Sequence, residues 1–168
     1  MLLVGGLVGC SVEQTLPPPS CETGGSGLIV AQSVPSATQI PCLTGMPAGW
    51  SVSTVKVNEH HSVVTLDSDR AGDGAAVLRF EDACDVSDAV SAPSELPLAE
   101  RYDAIEQVRP SFRAQRFYVF EGGCVYWAFD FDAGVSATES VAIGDALALV
   151  SRADLQRSIS ETFLDEEI

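Results

Sequence analysis

Asp130 and Asp132 stand two residues apart at the end of an aromatic run, and in a strand that spacing puts both carboxylates on one face. Paired carboxylates can do acid–base work, including hydrolysis, when their surroundings raise the pKa of one of them. Asp85 and Asp88 would join them if Cys84 were bonded to Cys124; the plainer reading is a solvated strand end. A second acidic set, Asp67-Ser68-Asp69-Arg70-Ala71-Gly72-Asp73-Gly74, partly resembles an EF-hand calcium loop. It has carboxylates at the first and third positions and glycine at the sixth. The fifth position is Ala71 and the twelfth, where a bidentate glutamate belongs, is Leu78. Asp67, Asp69 and Asp73 therefore read as an acidic loop between strands before they read as calcium ligands. His60 and His61 are the only histidines. Adjacent positions in a strand point to opposite faces, which suits an exposed turn better than a shared metal.

No Gly-x-Ser-x-Gly elbow occurs, so no serine nucleophile is marked by its local sequence. Neither does any Cys-x-x-Cys, which argues against a zinc ribbon or a thioredoxin-type redox pair. The five cysteines divide into Cys10 and four well-spaced others, Cys21, Cys42, Cys84 and Cys124. Outside the cytoplasm four such cysteines read as two disulfides, with three possible connectivities. Cys21–Cys42 and Cys84–Cys124 is the favoured set. The first would pin the entry to the domain and the second would join two β segments. No catalytic residue, metal or cofactor is assigned on these grounds.

Leu7-Val8-Gly9-Cys10 resembles the lipobox of bacterial lipoproteins: an apolar residue, two small or moderately apolar ones, then cysteine. The resemblance implies that the Cys10 thiol carries a diacylglycerol and that cleavage frees its amine. Met1–Val8 would be the apolar part of a signal peptide. No Lys or Arg precedes it, as if the natural start lay further upstream. Ser11 to Ser20, with Pro17-Pro18-Pro19, reads as a polar tether. The expected organisation is thus residues 1–9 as signal-peptide remnant, 10–20 as lipidated cysteine and tether, and 21–168 as one disulfide-stapled domain.

The 24 acidic residues outnumber the 9 basic ones, for a net charge of -15. That balance repels nucleic acid and anionic lipid surfaces as a whole. Lys56 is the only lysine, and with abundant Ala, Gly, Val and Asp the usage suggests a GC-rich genome. After the tether the chain resembles small envelope lipoproteins of GC-rich Gram-positive bacteria. This implies a place, the outer face of the cytoplasmic membrane, and no activity.

The elements that must position these groups are mostly β. Val52–Val57 and Val63–Leu66 flank Asn58-Glu59-His60-His61 as a hairpin. Ala75–Glu81 alternates apolar and charged residues as a half-buried strand does. Arg116–Phe120 and Val125–Phe131 flank Gly122-Gly123, a strong hairpin signal. Pairing Tyr118 with Trp127 and Phe120 with Val125 leaves both faces largely apolar, so this hairpin should be central and covered on both sides. Its aromatics, Phe117, Tyr118, Phe120, Tyr126, Trp127, Phe129 and Phe131, read as core before they read as a ligand groove. Residues 22–49, with Leu28-Ile29-Val30, read as broken loop. Leu98, Tyr102 and Ile105, at i, i+4 and i+7, predict a short helix before Pro110. Two C-terminal helices are expected. One follows Ser136-Ala137-Thr138-Glu139 and presents Ile143, Leu147 and Val150. The other follows Ser151-Arg152-Ala153-Asp154 and presents Leu155, Ile159 and Phe163. The predicted fold is α+β, an antiparallel sheet of about five strands with two C-terminal helices packed on one face.

Function is carried forward as three readings. The first is a non-enzymatic lipoprotein, anchored by its lipid, that binds a membrane protein. The second is a lipid-anchored hydrolase using Asp130 and Asp132, and the third is a carrier of a small apolar ligand in the aromatic hairpin.

Overall fold

The computed structural model describes residues 18–21 and 25–165. Cys10 and the rest of the lipobox lie outside the described residues. The fold is mostly β, which corrects the five-stranded α+β expectation. Seven antiparallel strands form the main sheet in the order β2-β3-β4-β8-β7-β6-β5, and β1 and β9 form a separate two-stranded ribbon. The main-sheet strands are β2 (Trp50–Asn58), β3 (His61–Ser68), β4 (Gly72–Glu81), β5 (Val90–Ala92), β6 (Glu100–Gln107), β7 (Arg113–Phe120) and β8 (Gly123–Asp130). The ribbon is β1 (Gln39–Leu43) and β9 (Leu147–Ser151), and the helices are α1 (Gly25–Ser33), α2 (Glu139–Gly144) and α3 (Arg152–Asp165).

One face of the sheet makes the core. Residues of β3 alternate between buried and half-buried along the strand's whole length, as expected where an antiparallel sheet has one covered face. Across the register, Val64 neighbours Leu78, Leu78 neighbours Trp127, and Phe80 neighbours Val125. These residues join Trp50, Phe129 and Phe131 in a single apolar cluster that also takes in Val30 of α1, Val34 just after it, Ile40 and Leu43 of β1, Ile143 of α2 and Leu147 of β9. The second layer is therefore a helix, a ribbon and a helical turn, laid over the covered face.

The β7–β8 hairpin is central, with β8 fourth of the seven strands. Its turn is two residues long, and Phe120 closes on Gly123. The register thus runs two residues away from the expected pairing, placing Tyr118 opposite Val125 and Arg116 opposite Trp127. A shift of two keeps every side chain on its expected face. Tyr118, Val125 and Trp127 are fully buried. The opposite face is covered only in part, where Phe117 and Cys124 are buried and Tyr126 and Ala128 are half-exposed. Gly122 has a φ of +76°, and a Cβ there would lie 1.9 Å from the carbonyl oxygen of Ser36. The hairpin tip is consequently docked onto the α1–β1 connection, where Thr38 donates from its amide (3.0 Å) and its hydroxyl (2.9 Å) to the Glu121 carbonyl.

Three local expectations change. The 98–105 stretch is not a helix: Glu100–Gln107 is β6, paired with β7. The first C-terminal helix ends at Gly144, and Leu147 and Val150 belong to β9, opposite Leu43 and Ile40 of β1. Residues 25–33, expected as broken loop, are the helix α1. The better-looking capping signal is the weaker cap, since Thr138 makes no side-chain cap bond to α2. The Ser151 hydroxyl, by contrast, accepts the Asp154 amide at 3.0 Å and donates to its carboxylate at 2.6 Å, starting α3.

Candidate functional site

The structure separates the groups that the sequence offers for chemistry. Asp130 ends β8, is 68% exposed and accepts a hydrogen bond from Arg113 Nε at 3.1 Å. Asp132 lies in the following loop, where its amide bonds the Ala71 carbonyl and its carboxylate sits against Gly72. Asp85 and Asp88 line a cavity with β6 and β7 that neither Asp130 nor Asp132 reaches. The four carboxylates do not converge. Asp67 spends one oxygen on the Gly74 amide at 2.7 Å, which closes the β3–β4 connection. Among the described residues no group of three or more His, Cys, Asp and Glu side chains could hold a metal ion. His60 occupies the β2–β3 turn with a φ of +72° and pairs with Asp82 at 2.8 Å, while His61 starts β3 and meets Asn58 at 3.2 Å. The aromatics of the hairpin are mostly core: Phe117, Tyr118, Phe120, Trp127, Phe129 and Phe131 are all buried, and they do not line one shared groove, Phe117 and Phe129 bordering two separate cavities.

Both disulfides are formed. Cys21 is joined to Cys42 and Cys84 to Cys124, with Cα atoms 4.9 Å and 6.0 Å apart. Cys42 belongs to β1, and the Pro19 carbonyl accepts the Leu43 amide at 2.7 Å, so the start of the described chain is fastened to the ribbon. Cys124 opens β8 beside the partly covered face. From Cys84 the chain runs over that face, adds β5 to the outer side of β6 and continues as 93–99 onto the core side, where Glu95 meets Tyr118.

A network of charges forms at this wrapped edge. Arg101 and Asp103 of β6 share a face with Arg116 and Tyr118 of β7, because Arg101 pairs with Tyr118 and Asp103 with Arg116. Arg101 holds Glu95 at 2.9 Å and Asp103 at 2.7 Å, and Arg116 Nε reaches Asp103 at 3.2 Å. The Tyr118 hydroxyl donates to Glu95. Burial works against the Glu95 carboxylate, but the hydrogen bonds from Tyr118, the backbone and Arg101, with the charge of Arg101, hold its pKa below the ordinary range. Burial, then the bond to Glu95, pushes the Tyr118 hydroxyl up. Burial likewise opposes the charge of Arg101, and Asp103 and Glu95 outweigh it and raise its pKa. Glu95 thus moves in the direction opposite to that of a general acid. The network fastens segment 93–99 to the sheet.

The edge exposes apolar side chains beside the charged Glu100 and Glu106. Of the six large hydrophobic side chains exposed among the described residues, Val90 (73%), Leu98 (79%), Ile105 (64%) and Val108 (59%) lie on β5, on β6 or within two residues of β6, while Ile29 and Val141 lie on α1 and α2. Leu98 is also held at a φ of +64°, a left-handed backbone that costs a non-glycine residue about 1–2 kcal/mol. The opposite edge, β2, carries Lys56, a charge that discourages strand addition; the register is irregular on both sides of the sheet, between Val52 and Thr54 of β2 and between Ile105 and Gln107 of β6. None of Glu95, Arg101, Asp103 or Arg116 stands out in the sequence. The legible signal was Arg101-x-Asp103, a strand-period pair of opposite charge obscured by the apparent helical spacing around it.

No known protein family matches the chain, and no curated protein does either. A solved structure from Bacteroides thetaiotaomicron VPI-5482 is similar over 70% of this chain, at 10% identity and a TM-score of 0.37. The match covers 47% of that protein, so the chain spans about half its length.

Proposed function

We propose that this chain is a non-enzymatic, extracytoplasmic binding module, tethered to the membrane through a lipid on Cys10, whose β5–β6 edge takes a protein partner. The observation that carries the binding role is the collection of exposed Val90, Leu98, Ile105 and Val108 along one sheet edge. Apolar side chains are common on surfaces when scattered; gathered on one edge they mark an interaction site. Leu98 supports this, since its strained backbone holds a leucine out in solvent, where it gains nothing from burial. The disulfide at Cys84 and the Glu95–Arg101–Asp103–Arg116 network hold the edge in shape, which lowers the ordering cost of binding. The net charge of -15 would keep the domain off anionic headgroups and leave this edge open to a protein.

The test is made in the bacterial host. Wild-type protein should incorporate labelled fatty acid and be extracted by detergent together with an integral membrane protein. Cys10→Ser should abolish the label, and the Val90→Asp, Leu98→Asp pair should keep the label and lose the membrane protein. Labelling that survives Cys10→Ser overturns the anchor, and a complex indifferent to the edge variants overturns the binding edge.

A further inference from the structure

β6 is only half covered on its outer side. β5 pairs with Arg101, Tyr102 and Asp103 alone, while β6 continues to Gln107. Among the described residues its last four, 104–107, have β7 on one side and no strand on the other. The chain before β5 leaves the edge because it turns: the Ala89 amide bonds the Val86 carbonyl at 3.0 Å and the Ser87 amide bonds the Asp85 carboxylate at 3.0 Å. Between the departing chain and the bare edge lies a cavity of about 310 Å³. Ala104, Ile105 and Glu106 all line it, with Phe117 on its floor. The register against β7 shifts between Ile105 and Gln107, so Glu106 is the extra residue of a bulge within this stretch. The cavity lies against the side of β6 that β5 leaves uncovered.

The charge around it has one sign. Asp85 and Asp88 form the far wall, Glu106 stands on the edge, and no lysine or arginine lines the cavity. Ile105 is apolar and exposed beside it. From this edge we infer that β6 accepts an extended segment of a protein partner as an added strand over Ala104–Gln107, and that the segment alternates basic with apolar residues. Strand addition supplies affinity through the main chain, and alternate side chains supply selectivity. Here the basic side chains meet Asp85, Asp88 and Glu106, and the apolar ones meet Ile105 or Phe117. β2 is the competing edge, and its Lys56 repels the same segment. The inference rests on the binding role proposed above and adds the residues and the partner's chemistry.

The experiment uses the full chain, isotopically labelled, and a blocked heptapeptide of alternating lysine and valine. Amide shifts and slowed amide exchange should concentrate at 104–107. A glutamate–valine peptide should bind at least about tenfold more weakly, and so should a lysine–valine peptide N-methylated at alternate residues, which cannot pair. Asp88→Lys with Glu106→Lys should reverse the charge preference, and because both side chains are exposed and the Asp85–Ser87 turn is left intact the variant should stay folded. Protection at β2 instead, equal binding of the N-methylated peptide, or no shift up to millimolar peptide overturns the inference. A membrane-protein complex in cells that persists despite such a result would leave the binding role standing and this assignment of edge and peptide refuted.

Discussion

Gly122→Ala tests how the second layer is locked to the sheet. In place, the new Cβ would sit 1.9 Å from the Ser36 oxygen and 2.6 Å from its carbonyl carbon, at a φ of +76°. Backbone cannot be that close, so the hairpin tip and the 36–38 segment must part. The separation strains the two bonds from Thr38 to the Glu121 carbonyl and the one from the Ser36 hydroxyl to the Gly122 carbonyl, now 2.7 Å. The left-handed backbone costs alanine about 1–2 kcal/mol, and each lost hydrogen bond about 0.5–1.5 kcal/mol. Together the loss should be about 3–5 kcal/mol. Gly134→Ala is the control: its φ is +88°, but a Cβ there meets nothing within 4 Å, so only the backbone cost of about 1–2 kcal/mol applies. The assay is urea unfolding of the oxidised protein, followed by the fluorescence of Trp50 and Trp127. With a slope of about 2 kcal/mol per molar, Gly122→Ala should move the midpoint down by about 2 M and Gly134→Ala by less than about 1 M. Equal midpoints for the two variants would refute the docking of the tip against Ser36.

Glu95 has its pKa depressed in the folded state, so its contribution to stability is present at neutral pH and is lost as pH falls through the folded pKa. Glu95→Gln should destabilise the protein at neutral pH and converge with wild type in strong acid, and unfolding curves that stay equally separated at both would sink that assignment. The Cys84–Cys124 bond closes a 40-residue interval, and on a chain-entropy basis Cys84→Ser with Cys124→Ser should cost about 4 kcal/mol; peptide mapping without reduction should recover this pair and Cys21–Cys42. Arg113→Ala should cost no more than about 1 kcal/mol, because the pair it forms with Asp130 is exposed, and a loss of several would show that Asp130 does more than solvate a strand end.

The strands were legible where one pattern repeated locally. β3, β4 and the β7–β8 hairpin alternate along their own sequence, and Gly122-Gly123 marked the turn, though not its length. Counting four turn residues in place of two moved the register while preserving the faces. What failed was set by distant partners. β6 is flanked on its outer side only by the three-residue β5, with much of its length exposed or half-exposed, so it shows no clean alternation, and Leu98, Tyr102 and Ile105 then matched a helical spacing by chance. β9 exists because Leu147 and Val150 find Leu43 and Ile40 more than a hundred residues away, a pairing that no local window contains. Residues 39–43, inside the stretch that reads as broken loop, form β1 because β9 pairs along them, and an outer strand tolerates the missing N–H of Pro41. The proposed binding edge stayed hidden for the same reason, since its apolar residues belong to two strands and their flanks that only the sheet brings together.

The central claim is that the β5–β6 edge, and not the β2 edge, meets the partner. A photo-crosslinking amino acid at position 105 and another at position 56 compare the two edges in intact cells. The account predicts a discrete adduct with an integral membrane protein from position 105 and none from position 56. The same adduct from both positions, or from position 56 alone, would contradict it.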